Sequence, residues 1–215
     1  MANVAPLPSK LEENYKSWKG GRYAETAERF QDLAKNGQKP FALLITCCDS
    51  RVDAAPMLGI GPGDLFMHRN IANIVPAHNA DGGMHATSAV LEYAVTALKV
   101  PHIIVMGHSQ CGGVQGCHAM CKGDAPKLRD SGSFVGQWIT AIEPAFDQVT
   151  DLPEAEQLPA MEKAAVTVSL DNLMTFPFVK AAVERCALEL HGLWTDVGTG
   201  DLEALDPTTG AFTAV

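Results

Sequence analysis

Phe41-Ala-Leu-Leu-Ile-Thr46 follows Pro40, and His102-Ile-Ile-Val-Met106 follows Pro101. Each is a short, unbroken apolar run between turn formers. Such runs predict strands buried on both faces, as in a parallel sheet. Between them, Gly61-Pro-Gly-Asp64 predicts a turn and Leu65-Phe-Met-His68 another strand. Residues 84–99 place Val90, Leu91, Ala94, Val95 and Leu98 at helical spacing. Strand, turn, strand, helix, strand is the order of a crossover α/β unit.

Outward from this centre, residues 10–36 predict a helix broken near Gly20-Gly21, with Leu11, Tyr15, Trp18, Phe30 and Leu33 along it. Tyr15 and Trp18 are expected to pack within this arm. Residues 122–160 are the least regular, although Phe134, Trp138 and Ile142 lie four apart. Residues 162–174 and 178–189 predict helices, and 188–197 a strand. Thr199-Gly-Asp-Leu and Asp206-Pro-Thr-Thr-Gly210 are turn signals. The expected fold class is α/β: a mostly parallel central sheet flanked by helices, with an N-terminal helical arm over 1–36 and a single domain over 37–215.

The 215 residues are 47% hydrophobic and 19% charged, which argues against general disorder. No apolar run approaches the ~20 residues needed to span a bilayer, so no membrane partner is expected. The N-terminus lacks the basic start and apolar stretch of a secretion signal, so a cytoplasmic location is expected. Lys and Arg number 16 against 25 Asp and Glu, a net charge of -9 with no basic run. Nucleic acid is therefore not an expected partner. The six cysteines are expected to be free thiols or metal ligands.

Two segments carry chemistry. Cys47-Cys48-Asp49-Ser50-Arg51 ends the first apolar strand, and Gly107-His108-Ser109-Gln110-Cys111-Gly112-Gly113 ends the later one. Open parallel sheets form sites outside the carboxyl ends of their strands. Were the chain to stay extended past Thr46, Cys47, Asp49 and Arg51 would share one side. Cys47, His108 and Cys111 offer two thiolates and one imidazole, a set that suits zinc and leaves the fourth tetrahedral position open. Gly112 and Gly113 would let the backbone pass close to the metal. Two thiolates cancel the charge of the ion, so it acidifies water weakly and a positioned acceptor helps. Asp49 suits that task, and Arg51 can hold it ionised and off the metal through a bidentate pair. If that pair opened, Asp49 could become a fourth ligand.

Cys-x-Asp-x-Arg at 47–51 and His-x-x-Cys-Gly-Gly at 108–113 resemble the two zinc motifs of the β-class carbonic anhydrases. Gly63-Asp-Leu-Phe-Met-His-Arg-Asn-Ile-Ala-Asn73, Leu91-Glu-Tyr-Ala-Val95, Leu173-Met-Thr-Phe-Pro177 and Leu190-His-Gly192 resemble further family segments in order. The resemblance implies Zn2+ as cofactor, reversible hydration of carbon dioxide to bicarbonate and a proton, and a homodimer or homotetramer with clefts at subunit interfaces. By position it implies substrate-binding roles for Gln38, Phe66 and Tyr93, the aromatics serving a neighbouring subunit's cleft. The bicarbonate-inhibited subtype carries tryptophan three residues before the first zinc cysteine. Leu44 stands there, which implies the open-site subtype.

Plainer readings stand beside these. Cys48 is expected to pack and Cys186 to sit in the core. Cys117, His118 and Cys121 could form a second metal set, although burial is the simpler expectation. His68, His78, His85 and His102 have no partner visible in the sequence, and Arg69 suits an ion pair as well as a cleft. Two other functions compete: hydrolysis of carbonyl sulfide or carbon disulfide at the same zinc site, and a non-catalytic zinc-binding or redox module.

Overall fold

The computed structural model describes residues 4–79 and 86–215. His85, and the first two positions of the helix expected over 84–99, lie outside the described residues. The chain forms two compact units, Met1–Gln38 and Lys39–Val215.

The first unit holds α1 (Ser9–Gly20) and α2 (Arg22–Asn36). Neither helix has a buried residue. Aromatic contacts join them: Trp18 meets Tyr23 at 5.1 Å and Phe30 at 6.2 Å between ring centres.

The second unit begins with β1 (Ala42–Cys47), the short α3 (Ala54–Met57) and β2 (Leu65–Asn70). A 3-10 turn, Ile71–Asn73, follows. Next come α4 (Ala86–Glu92), extended by wider π turns over Tyr93–Leu98, and β3 (His102–His108). Helices α5 (Gly112–Lys122), α6 (Phe134–Ile139), α7 (Glu143–Asp147), α8 (Glu154–Leu173) and α9 (Pro177–Glu184) lead to β4 (Glu189–Thr195). The chain closes with β5 (Leu202–Leu205) and β6 (Phe212–Ala214).

The sheet is mixed and six-stranded, in the order β2-β1-β3-β4-β5-β6. The first four strands are parallel, and β5 and β6 run antiparallel. All six residues of β1 are buried, which explains its unbroken apolar run. On one face Leu43, Ile45, Ile103 and Val105 pack under Leu91, Ala94, Val95 and Val179. On the other, Leu44 and Met106 pack with Val52, Ala54 and Leu58. The chain leaves β1 toward β2 on one side, and β3 lies on the other. The winding therefore reverses between β1 and β3, where a crevice opens beyond the strand ends.

Three expectations need correction. Helix α8 starts at Glu154, not 162, and runs through Pro159. Burial of Met161, Ala165, Val166 and Leu173 outweighs the one backbone bond that proline removes. Helix α9 ends at Glu184, because Cys186 takes a left-handed conformation (φ 55°) that turns the chain into β4. Cys186 is exposed there rather than in the core. The turn signals near the C-terminus hold, at 197–199 and 207–209, and each is followed by a short strand, β5 and β6, whose residues are half-buried or exposed and show no apolar run that would predict them.

Candidate metal centre

The parallel register pairs Thr46 with Met106, so β1 and β3 end side by side. Cys47 is the last residue of β1, His108 the last of β3, and Cys111 caps the N-terminus of α5. One ligand atom from each lies within 4.8 Å of the other two. All three residues are buried, at 5%, 1% and 1% exposure.

The donor set fits a metal ion. His108 Nδ1 lies 2.8 Å from the Ser109 carbonyl oxygen, so Nδ1–H donates to it and Nε2 keeps its lone pair. That Nε2 is buried with no hydrogen-bond partner. An orphaned imidazole nitrogen beside two buried sulfurs is expensive unless a cation satisfies all three. Cys47 is lowered to about 4, first by the Cys111 thiol hydrogen and then by His108 and backbone N–H groups, against the cost of burial. The Ala72 N–H, 3.4 Å from Cys47 Sγ, is one of those donors. Cys111 is pushed upward in turn by the Cys47 thiolate and by burial. A divalent cation removes that opposition and allows both sulfurs to ionise.

Asp49 and Arg51 meet through a turn rather than along an extended strand. Strand β1 stops at Cys47, and the chain bends over Ser50 and Arg51. The Arg51 backbone N–H donates to Asp49 Oδ1 at 2.9 Å, the bond an aspartate makes two residues ahead in a turn. Arg51 Nε and Nη2 donate to Oδ1 and Oδ2 at 2.9 and 2.8 Å, a bidentate pair. This pair holds the Asp49 carboxyl well below the usual carboxylate range. Arg51 also donates to Gln110, at Oε1 (3.2 Å) and the carbonyl oxygen (3.0 Å). The first motif is thereby tied to the second.

Three contributors were not legible as such. Gln110 adopts a left-handed conformation (φ 56°) that turns the chain between His108 and Cys111. Arg69 forms no ion pair among the described residues; it donates to the carbonyl oxygens of Cys47, Asp49 and Val52 at 2.9, 2.8 and 2.8 Å and so fixes the loop's path. Glu162, buried in α8, accepts the Cys111 N–H at 3.2 Å, while burial raises its carboxyl. Nothing in the local sequence around 69, 110 or 162 names these partners.

Other expectations are redistributed. Cys48 is exposed rather than packed. His118 Nε2 lies 2.9 Å from Gln157 Oε1, and Cys117, His118 and Cys121 make no metal-holding group among the described residues. His68 bonds Thr87 at 3.0 Å. Phe66 and Tyr93 contact each other, ring centres 5.7 Å apart. Phe66 pairs with Leu43, four strand steps before the Asn70–Cys47 pair, or about 13 Å along the strand. Within one chain the aromatics are thus set back from the metal centre. Gln38 is exposed at the end of the first unit.

The two glycines after Cys111 meet different surroundings. A Cβ on Gly112 would meet nothing within 4 Å, whereas one on Gly113 would lie 2.8 Å from Ala72 Cβ and 2.9 Å from Ile71 Cγ2. Gly113 serves the close approach of α5 to the 3-10 turn. Gly113→Ala is expected to destabilise the zinc-loaded protein by about 1–3 kcal/mol. Urea unfolding checks this, and an unchanged midpoint would show that α5 shifts freely.

Comparison with known proteins agrees with this geometry. The carbonic anhydrase family model matches residues 42–202. β carbonic anhydrase 3 of Arabidopsis thaliana is 37% identical over 98% of this chain and 83% of its own length. The solved β-carbonic anhydrase CcaA superposes with a TM-score of 0.86 at 30% identity, covering 96% of this chain and 91% of that one. A tetrameric β-carbonic anhydrase of the ascomycete Sordaria macrospora gives 0.73 at 33% identity, covering 96% and 98%. Zinc motifs, sheet order and whole-chain likeness thus converge: the chain belongs to the β-class carbonic anhydrases, zinc lyases that hydrate carbon dioxide reversibly.

Proposed function

We propose that Cys47, His108 and Cys111 hold the catalytic zinc, and that Asp49, fixed by Arg51, orients the attacking water in carbon dioxide hydration. The bidentate Asp49–Arg51 pair, anchored to Gln110 beside the sulfur–imidazole group, carries this reading. Zinc, when bound, lowers the pKa of a water molecule so that a nucleophile exists near neutral pH. Asp49 Oδ2 accepts one bond from Arg51 and keeps a lone pair for the hydrogen of the attacking oxygen. With Asp49 engaged by Arg51, the open-site subtype is supported; Leu44, buried in the core, gives no inhibitory pocket its tryptophan.

A homodimer or homotetramer is proposed from the edge of the sheet. Strand β2 ends the sheet, and Met67, Ile71, Tyr93, Phe134 and Val135 are exposed apolar residues. Such exposure favours burial against a second copy, and the Sordaria relative is described as tetrameric. Phe66 and Tyr93 would then serve the neighbouring cleft, with Gln38 as a substrate-side donor. Two active thiolates suit a reducing compartment, so the cytoplasm is the proposed location. No helix among the described residues is long and apolar enough to cross a membrane.

Stopped-flow hydration of carbon dioxide is measured beside carbonyl sulfide hydrolysis on one sample, whose zinc is counted after dialysis. Fast hydration with retained zinc is the expected result. Retained zinc with preferred turnover of carbonyl sulfide overturns the substrate. Light scattering on the same sample reads the mass against 22.9 kDa per chain.

A further inference from the structure

A second convergence of metal-binding atoms lies at the opposite end of the sheet. Strand β3 starts at His102 and β4 at Glu189, and the parallel register sets His102 beside Glu189 and Ile104 beside His191. Glu189 and His191 are two residues apart on one strand, so their side chains share a face. His102 Nδ1 lies 3.1 Å from His191 Nε2 and 3.3 Å from Glu189 Oε2, and the latter two atoms are 3.9 Å apart.

These distances match a coordination triangle. Donors of a tetrahedral zinc ion, bonded at about 2.1 Å, stand about 3.4 Å from one another. A point equidistant from the three observed atoms falls about 2.0 Å from each, the length of a zinc–imidazole bond. Hydrogen bonding alone satisfies the group poorly. A proton on His102 Nδ1 must be divided between His191 and Glu189, and the remaining pair is 3.9 Å apart with no donor between. One cation satisfies all three lone pairs at once.

We propose that His102, Glu189 and His191 form a second, peripheral site for a borderline divalent cation of the zinc class. Two imidazoles and a carboxylate are the ligand chemistry such ions take. The site sits six strand steps from His108, about 20 Å, so it is separate from the catalytic centre. It opens to solvent: the side chains are 36%, 69% and 43% exposed for His102, Glu189 and His191. Phe41, Ile104 and Leu205 line the adjoining hollow. Water completes the coordination there, and the ion ties the starts of β3 and β4 together.

The test uses the full chain carrying its dialysis-resistant zinc. It is equilibrated with buffered Zn2+ up to sub-millimolar free ion, and bound metal is counted by plasma mass spectrometry. The expected result is one further ion per chain in the wild type. In Glu189→Ala the second ion should bind at least about tenfold more weakly, and in the His102→Ala/His191→Ala double variant it should be lost. Retained tight zinc and carbon dioxide hydration show that both variants fold; Glu189, at the surface, decides should the double variant not fold. With Co2+ as the probe, the added ion should show visible bands without a thiolate charge-transfer band. No second ion in the wild type, unchanged affinity in Glu189→Ala, or a thiolate band on the added cobalt overturns the proposal.

Discussion

Cys47→Ser is expected to lose the tightly held zinc and to reduce carbon dioxide hydration by at least about 10³-fold, because without the ion water keeps its bulk pKa. Cys47 is the thiol set to ionise first, lowered to about 4 by the Cys111 thiol hydrogen, His108 and neighbouring N–H groups. A serine hydroxyl in its place does not ionise in this range. The divalent ion then faces one thiolate and one imidazole, a set too weak and too few for a closed hold. Plasma mass spectrometry after dialysis, with stopped-flow hydration on the same sample, reads both quantities. Circular dichroism should show the sheet intact, since Cys47 only ends β1. Full zinc with wild-type turnover in Cys47→Ser would remove this residue from the ligand set.

Asp49→Asn is expected to keep zinc and to lower turnover by about 10²–10³-fold, the size of effect seen when one positioned group is removed from a site. The amide has nearly the carboxylate's shape but half its acceptors, and its NH2 group faces the guanidinium as one donor against another. Arg51 therefore lets go, and the link to Gln110 goes with it. Arg51→Met separates positioning from ionisation. Without the guanidinium, the Asp49 carboxyl rises toward the ordinary value of about 3.9. It still stays ionised at pH 7 and at pH 8.5. The loss of activity in Arg51→Met should thus be equal at both values. A loss that disappears at the higher pH would show that ionisation, not aim, is what Arg51 supplies. Unchanged turnover in Asp49→Asn would remove Asp49 from the mechanism.

Legibility followed burial and spacing along the chain. Strands β1 and β3 could be read because their central residues, Ala42–Ile45 and Ile103–Met106, form unbroken apolar runs, fully buried in β1 and largely so in β3. The ligands could be read because they stand at the ends of those strands, at spacings that a single ion can bridge. The start of α8 was hidden because a proline at 159 reads locally as a break, whereas its cost is outweighed by core contacts visible only after folding. Strands β5 and β6 were hidden because they are three or four residues long and only half-buried. Cys48 and Cys186 were misplaced because a cysteine's default is burial, and both sit where the chain has just left a regular element.

Chemistry that depends on near neighbours was therefore set by residue order: two sulfurs and an imidazole at strand ends, and a carboxylate two residues from a guanidinium. Partnerships across long separations came only with the folded sheet and its helices. Arg69 reaching back to three carbonyls, Glu162 beneath the Cys111 amide and Glu189 beside the His102–His191 pair all rest on register and packing. The physical reason is range. Local dihedral preference and hydrophobic period act over a few residues, while a hydrogen bond or a coordination triangle requires atoms within about 3–4 Å whatever their distance along the chain.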